Sequence, residues 1–392
     1  MDAFDSVLQP IENAKGLPNT CYTDPAFFQI ETKQIFASGW AAIGFGFDVP
    51  TPGCVCPVNF LGIPLVLVRG RSNEIKVFEN VCRHRGMILV GEAKKLGGPI
   101  TCPYHSWAYD FDGTLRATPH VGGPDIHEHQ SIDCTALSLN EIPSSIWRDV
   151  IYVNLSGKAS SFQEKAAALQ TRWTEFKHEL YFGGDGSYFE LDVACNWKLA
   201  VENYCEAYHL PSVHPSLNSY SRLEDHYNIV DDPSYAGQGS NVYAAQISDD
   251  GQQFSKFRGL SEKWDKAAEY CAFFPNVLYG VHKDHTFAIV LLPTDLKNTI
   301  ERIALYYADP QMLSADYASM RAKNAAMWKD VFIEDIEVLE GMQAGRKAPS
   351  YDGGKFSAIM DHPTHHFHKW IVQRMIQKGK DNLLIESGQC ES

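Results

Sequence analysis

The sequence has no run approaching the roughly 18 apolar residues of a membrane span, and residues 1–16 lack the charged-then-apolar pattern of a secretion signal. A soluble, cytoplasmic protein is expected. Positive charge is scarce: 34 Lys and Arg stand against 48 Asp and Glu, a formal net charge of −14. Such a surface repels nucleic-acid and anionic-lipid phosphates, so neither nucleic acid nor membrane is expected as a partner. No G-x-G-x-x-G follows a strand and opens a helix, and no plant-type ferredoxin cysteine run is present. Electrons from a nicotinamide would therefore have to arrive through another protein. No disulfide framework is laid out either. Ten cysteines are scattered over 392 residues, and in a reducing compartment a cysteine pattern that stands out reads as metal-binding or catalytic.

What is present is an ordinary globular composition, 44% hydrophobic and 21% charged, on a chain long enough for two domains. Residues 1–45 mix short helical turns with loop. From Pro50 to about Ser156 short apolar runs such as Ile63–Val68, Ile75–Phe78 and Ile151–Val153 are punctuated by Gly and Pro, the pattern of a small all-β domain. Residues 157–185 carry helical spacing. Alternating segments follow at 188–193, 277–281, 287–292 and 300–307, with helices over about 310–345 and 364–378. This describes an α+β domain, an antiparallel sheet with helices beside it. The expected layout is an N-terminal segment (1–45) packing on the catalytic domain, an all-β domain (46–156) and a catalytic domain (157–392). Residues 231–260, rich in Gly, Ser, Asp and Gln, read as a loop or lid.

Two clusters carry chemistry. Cys82-Arg83-His84 and Cys102-Pro103-Tyr104-His105 each offer one thiolate and one imidazole from a tight turn. Two Cys can hold one iron of a binuclear cluster and two His the other, the Rieske [2Fe–2S] arrangement. A structural zinc site is the alternative, but zinc fingers usually pair Cys with Cys and His with His. Further on, Asn196-Trp197-Lys198 opens a helix expected to run through Leu199 to His209, with Glu206 and His209 on one face and Pro211 as its breaker. His214 follows from a turn. Two His with one carboxylate form the facial triad of non-haem Fe(II). The acid is sought in Glu334-Asp335-Ile336-Glu337, where Asp335 lies at the edge of a core face of Trp328, Phe332, Ile336 and Leu339 and Glu334 competes. His365-His366-Phe367-His368 reads as a solvated helix face rather than a metal site.

The residues Cys82-Arg83-His84-Arg85-Gly86 and Cys102-Pro103-Tyr104-His105-Ser106-Trp107, continued by Tyr109 and Gly113, resemble the Rieske signature of ring-hydroxylating oxygenase α subunits. The resemblance runs from about Tyr22 to the final helix and includes the spacing of Asn196-Trp197-Lys198, Glu206, His209 and His214. It implies a Rieske domain followed by a helix-grip-like catalytic domain. It also implies a [2Fe–2S] cluster on Cys82, His84, Cys102 and His105, and a mononuclear Fe(II) on His209, His214 and Asp335. Dioxygen would be the co-substrate, and NAD(P)H would act only through a partner flavin or iron–sulfur reductase. Glu206 resembles the acid that links a mononuclear-iron histidine to a Rieske histidine of a neighbouring subunit in a homotrimer, an inter-subunit electron-transfer bridge. Ring-dihydroxylating members typically carry Asp there, with one more residue between the upstream Asn and the acid than in the Asn203-Tyr204-Cys205-Glu206 of this chain. The Glu form looks more like the branch that oxidises quaternary ammonium compounds. Three activities are thus expected in descending order: monooxygenation or demethylation of a choline, betaine or carnitine type of small molecule, hydroxylation of an aromatic ring, and bare electron transfer.

Overall fold

The computed structural model describes residues 4–245, 247 and 251–387. The chain divides into two compact units: Trp40–Ala159, and a second built from the segment before Trp40 with the chain after Ala159. Ala41–Phe45 goes with the first unit because it pairs antiparallel with Val150–Val153, so that unit begins at 40 rather than 46.

The first unit is all β. Cys54–Phe60, Ile63–Arg69 and Ile75–Glu79 form the middle of a five-stranded antiparallel sheet, and Ile100–Thr101, Ala108–Tyr109 and Leu115–Ala117 form a small sheet of three. Inward positions of both supply one core containing Val66, Val68, Phe78, Ile100, Trp107 and Tyr109, and Cys82 and Cys102 are buried in it.

In the second unit, eight antiparallel strands form one sheet. The path runs Tyr181–Phe182, Asn298–Tyr307, His285–Asp295, Val277–Val281, Ala268–Phe273, Tyr235–Ser240, His226–Asp232, with Tyr188–Val193 also paired to Asn298–Tyr307. Three helices contact it: Trp197–Cys205, Ala318–Gly345 and His362–Ser387. One ladder row crosses the sheet through Asn228, Gln238, Tyr270, Gly280, Phe287 and Leu305. Gly280 is required there: a Cβ would come within 2.4 Å of the Phe287 ring. No helix among the described residues is long and apolar enough to cross a membrane.

Two expectations fail here. Within 231–260, Tyr235–Ser240 is a fully buried strand rather than part of a lid; Gln246 and 248–250 lie outside the described residues. Its glycines mimic a loop in composition, yet Gly237 faces the Tyr270 carbonyl so closely that a Cβ would sit 2.0 Å from its oxygen. The His365-His366-Phe367-His368 face is not solvated. His365 and His368 are 3% and 2% exposed. His365 Nε2 lies 2.8 Å from the Val7 carbonyl, the Leu17 amide donates to His368 Nδ1 (3.1 Å), and His366 Nε2 lies 3.0 Å from the Asp232 carbonyl. The N-terminal segment covers a helix face that local periodicity would leave to water.

That segment is anchored by buried charge. Lys198 Nζ donates to Glu31 Oε1 at 2.6 Å with both side chains fully buried, and Trp197 Nε1 donates to Glu31 Oε2 at 3.0 Å. Glu202 accepts from Tyr22 and has His368 Nε2 at 3.1 Å and Arg346 Nη2 at 3.5 Å. Burial would lift the Glu202 pKa, but His368, Arg346 and Tyr22 outweigh it and hold the carboxyl below its usual range. Its stabilisation is therefore present above the ordinary carboxylate pKa and lost as pH falls through the depressed one. Lys198→Met should cost about 3–5 kcal/mol, because Glu31 is left buried without its cation. Lys198→Met with Glu31→Leu should recover most of it. Thermal unfolding of the single and double variants checks this, and equal destabilisation of both would contradict it.

Candidate functional site

In the first unit the two loops share one backbone pattern. The Cys82 amide donates to the Met87 carbonyl and the Gly86 amide to the Cys82 carbonyl; the Cys102 amide donates to Trp107 and the Ser106 amide to Cys102, all at 2.8–3.0 Å. The fifth residue of each loop has positive φ, 75° at Gly86 and 58° at Ser106. Glycine takes that conformation at no steric cost. The loop tips lie side by side. His84 and His105 rings are 4.6 Å apart, and Trp107 stacks on His84 at 4.7 Å and 8°. Tyr109 Oη lies 3.3 Å from Cys82 Sγ and accepts from the Arg83 amide at 3.0 Å.

The donor set fits a binuclear iron–sulfur group. His105 Nδ1 is buried with no hydrogen-bond partner, a group that needs a ligand. Burial pushes the Cys82 thiol up, and Cys102 beside it adds to the effect, so a thiolate there calls for cationic metal. Burial and neighbouring His105 push His84 down, which favours the neutral imidazole that binds metal.

In the second unit the local path differs from the sequence expectation. The helix ends at Cys205, and Glu206 is extended (φ −122°, ψ 161°) rather than one helical turn before His209. The Glu206 carboxylate explains this: it accepts from the amides of Tyr208 and His209, so the side chain replaces the helix's own bonding. Pro211 sits in the first turn of Leu210–Val213 and starts that helix instead of breaking one. His209 and His214 flank this single turn, with rings 5.1 Å apart.

The Ala318–Gly345 helix supplies the acids. One ligand atom from each of His209, His214 and Asp335 falls within 4.8 Å of the others. His214 Nε2 is 3.0 Å and His209 Nε2 3.7 Å from Asp335 Oδ1. Each imidazole's other nitrogen has its own carboxylate, Glu206 Oε1 at 2.6 Å from His209 Nδ1 and Glu334 Oε2 at 2.7 Å from His214 Nδ1. Asn203 Nδ2 donates to Asp335 Oδ1 at 3.1 Å. Burial would lower the His214 pKa, but hydrogen bonds to Asp335 and Glu334 outweigh it and raise it. A site that attracts a proton this way fits a divalent cation: two neutral imidazoles and one carboxylate converge, with carboxylates behind the rings fixing their orientation.

Sequence reasoning offered Glu334 only as a rival to Asp335 and gave Asn203 no role. Adjacent helix residues project about 100° apart, so one acid can enter the site while the other passes beside it. Next to the triad lies a cavity. This space of about 460 Å³, solvent at its mouth included, is lined by Tyr204, Tyr270, Phe287, Trp328 and Phe332, by Leu210, Leu217 and Val331, and by Ser221, His226 and Gln238. No lysine or arginine is among the described residues that line it.

Two family models match the chain, one over each part. A Rieske [2Fe-2S] domain matches residues 39–135, and a ring hydroxylating alpha subunit (catalytic domain) matches residues 184–377. The chain is 25% identical to the carnitine monooxygenase oxygenase subunit of Escherichia coli (strain K12), over 92% of this chain and 94% of that one. It is 26% identical to the chloroplastic choline monooxygenase of Arabidopsis thaliana, over 92% and 82%. Among solved structures, a quaternary ammonium Rieske monooxygenase superposes with a TM-score of 0.77 at 21% identity, covering 95% of this chain and 98% of that one. Naphthalene 1,2-dioxygenase superposes with a TM-score of 0.72 at 19% identity, covering 96% and 95%. With a Rieske domain and a ring-hydroxylating catalytic domain in one chain, this protein is an oxygenase and belongs to the Rieske non-haem iron oxygenase α subunits.

Proposed function

We propose that the chain is the oxygenase component of a multicomponent monooxygenase that hydroxylates a small quaternary ammonium compound. The observation that carries this is the cavity: aromatic walls from Tyr204, Tyr270, Phe287, Trp328 and Phe332, the carboxylates of Glu206 and Asp335, and no lysine or arginine among the described lining residues. Aromatic faces and carboxylates attract a trimethylammonium group, while an anionic substrate such as a benzoate would have no cationic partner. The two relatives named for carnitine and choline point the same way.

In this reading Cys82, His84, Cys102 and His105 hold the cluster, and His209, His214 and Asp335 hold the iron. When bound, the cluster supplies electrons and the iron the activation of dioxygen. The chain's own residues do the rest. Glu206 and Glu334 hold the protons on the outer nitrogens of His209 and His214 and fix both rings. Asn203 orients Asp335. The aromatic walls place a C–H bond of the substrate beside the triad and exclude water. Hydroxylation of an N-methyl carbon gives a carbinolamine that releases formaldehyde and the tertiary amine, with dioxygen, two electrons and two protons consumed and one water formed. A separate reductase supplies the electrons. Glu206 is the link from His209 to His105 of the partner subunit in a trimer.

A screen of reductase-driven oxygen uptake tests this. At least one of choline, carnitine and the betaines should stimulate coupled turnover and yield oxidised product, whereas benzoates and naphthalene should not. Product formed from arenes alone would favour the aromatic-ring activity, which the same ring-lined cavity could also serve.

A further inference from the structure

In the cavity beside His209, His214 and Asp335, the polar hydrogens of the side walls are largely committed elsewhere. Tyr204 Oη donates to the Tyr279 carbonyl at 2.9 Å, and Trp328 Nε1 donates to His285 Nε2 at 3.0 Å. Tyr270 Oη lies 3.0 Å from His282 Nε2. Burial, reinforced by His285, holds His282 well below its usual pKa. Tyr204 Oη, its proton committed to the Tyr279 carbonyl, is left as an acceptor.

Ser221, His226 and Gln238 complete the cavity lining, and their polarity is fixed from the main chain. Ser240 Oγ donates to the Val242 carbonyl at 2.8 Å, Ser221 Oγ donates to Ser240 Oγ at 3.1 Å, and His226 Nε2 lies 3.0 Å from Ser221 Oγ. With both hydroxyl protons running toward Val242, Nε2 is the donor to Ser221. Burial lowers the His226 pKa against the hydrogen bonds that raise it, so the ring is neutral and Nδ1 is bare. Nδ1 meets the Gln238 amide. The Oε1 end lies toward Nδ1 as the side chain stands, but a half-turn about the last bond exchanges oxygen and nitrogen without changing shape. A bare nitrogen requires the NH2 end, which turns the carbonyl oxygen toward the cavity.

We propose that Gln238, polarised through His226 and Ser221, is a specificity-determining residue whose carbonyl accepts a substrate hydroxyl, selecting a trimethylammonium alcohol over a trimethylammonium carboxylate. This rests on the quaternary-ammonium reading and narrows it. A carboxylate in this cavity would face the Tyr204 and Gln238 oxygens with no lysine or arginine among the described lining residues to offset them, a mismatch that discriminates against it.

Calorimetric titration of the full-length, iron-loaded protein tests the proposal with four probes: choline, ethyltrimethylammonium, γ-butyrobetaine and the neutral tert-butyl isostere of choline. Choline should bind about 10-fold tighter than ethyltrimethylammonium, the worth of one hydrogen bond, and γ-butyrobetaine more weakly than either. Gln238→Leu should bring choline to the affinity of ethyltrimethylammonium in the same variant. Gln238→Glu keeps an acceptor in place and should retain the preference for choline. γ-Butyrobetaine binding as tightly as choline, a choline preference that survives Gln238→Leu, or its loss in a folded Gln238→Glu variant would each overturn the proposal and leave the quaternary-ammonium reading standing. If the neutral isostere binds as tightly as choline, cation recognition itself fails and both readings fall with it.

Discussion

Asp335→Ala is expected to lose one iron per chain and all coupled turnover, with the visible spectrum of the cluster unchanged. The geometry separates this acid from its neighbour. Asp335 Oδ1 is close to the Nε2 atoms of both histidines, at 3.0 and 3.7 Å, so a metal bound to the two rings can also take this carboxylate. Glu334 Oε2 instead meets His214 on Nδ1 at 2.7 Å. The two nitrogens of one imidazole point apart, so Glu334 cannot share a metal held on Nε2. Glu334→Ala should therefore keep most of its iron at saturating metal and weaken iron affinity by about 10- to 100-fold, the usual effect of removing a carboxylate behind a ligating histidine. Metal analysis and iron titration of the two variants check the assignment. Iron lost from Glu334→Ala and retained in Asp335→Ala would exchange their roles.

The second large effect is expected at Glu206. Gln is nearly the same size, but it cannot take up the imidazole proton that the carboxylate shares across the 2.6 Å contact with His209 Nδ1. Glu206→Gln should keep its iron and still have its cluster reduced by the reductase, yet reoxidation of the cluster in a single turnover should slow by about 100-fold, the upper end for such substitutions. A ligand role would instead cost iron, and a surface role would leave the rate unchanged. Subunit exchange extends the test. Mixing a His105-defective chain with a His209-defective chain should restore some activity, from subunit pairs in which an intact cluster faces an intact iron site. Proven exchange without recovered activity would defeat transfer between subunits.

The histidines and cysteines were legible because their chemistry is encoded in short spacings: two loops of like backbone pattern carry Cys82, His84, Cys102 and His105, and one helical turn separates His209 from His214. The course of the chain between Cys205 and His209 was not legible. A helical repeat continues through Glu206 in composition, and only the carboxylate's bonds to the Tyr208 and His209 amides end it. His365 and His368 misled for a different reason. Their partners, Val7, Leu17 and Glu202, are distant in sequence, and periodicity on one helix reports burial only against what packs locally. Tyr235–Ser240 was hidden by its glycines, which are there for close approach to the next strand and not for a turn. Glu334 and Gln238 had no motif at all; their places follow from neighbours on other elements.

The insertion of Trp40–Ala159 into the second unit has a consequence for synthesis. Ala41 pairs with Val153, so the inserted unit begins and ends on adjacent strands and can close on itself once its last strand leaves the ribosome. The segment carrying Tyr22 and Glu31 cannot do so. Glu31 waits for Lys198, while Tyr22 and Leu17 wait for Arg346 and His368. At 5–20 residues per second, more than 200 further residues take about 10–50 s to make. For that time Tyr22 and Leu17 lack Arg346 and His368, while the inserted unit can already be folded. The segment that precedes the inserted unit is thereby among the last to be locked in.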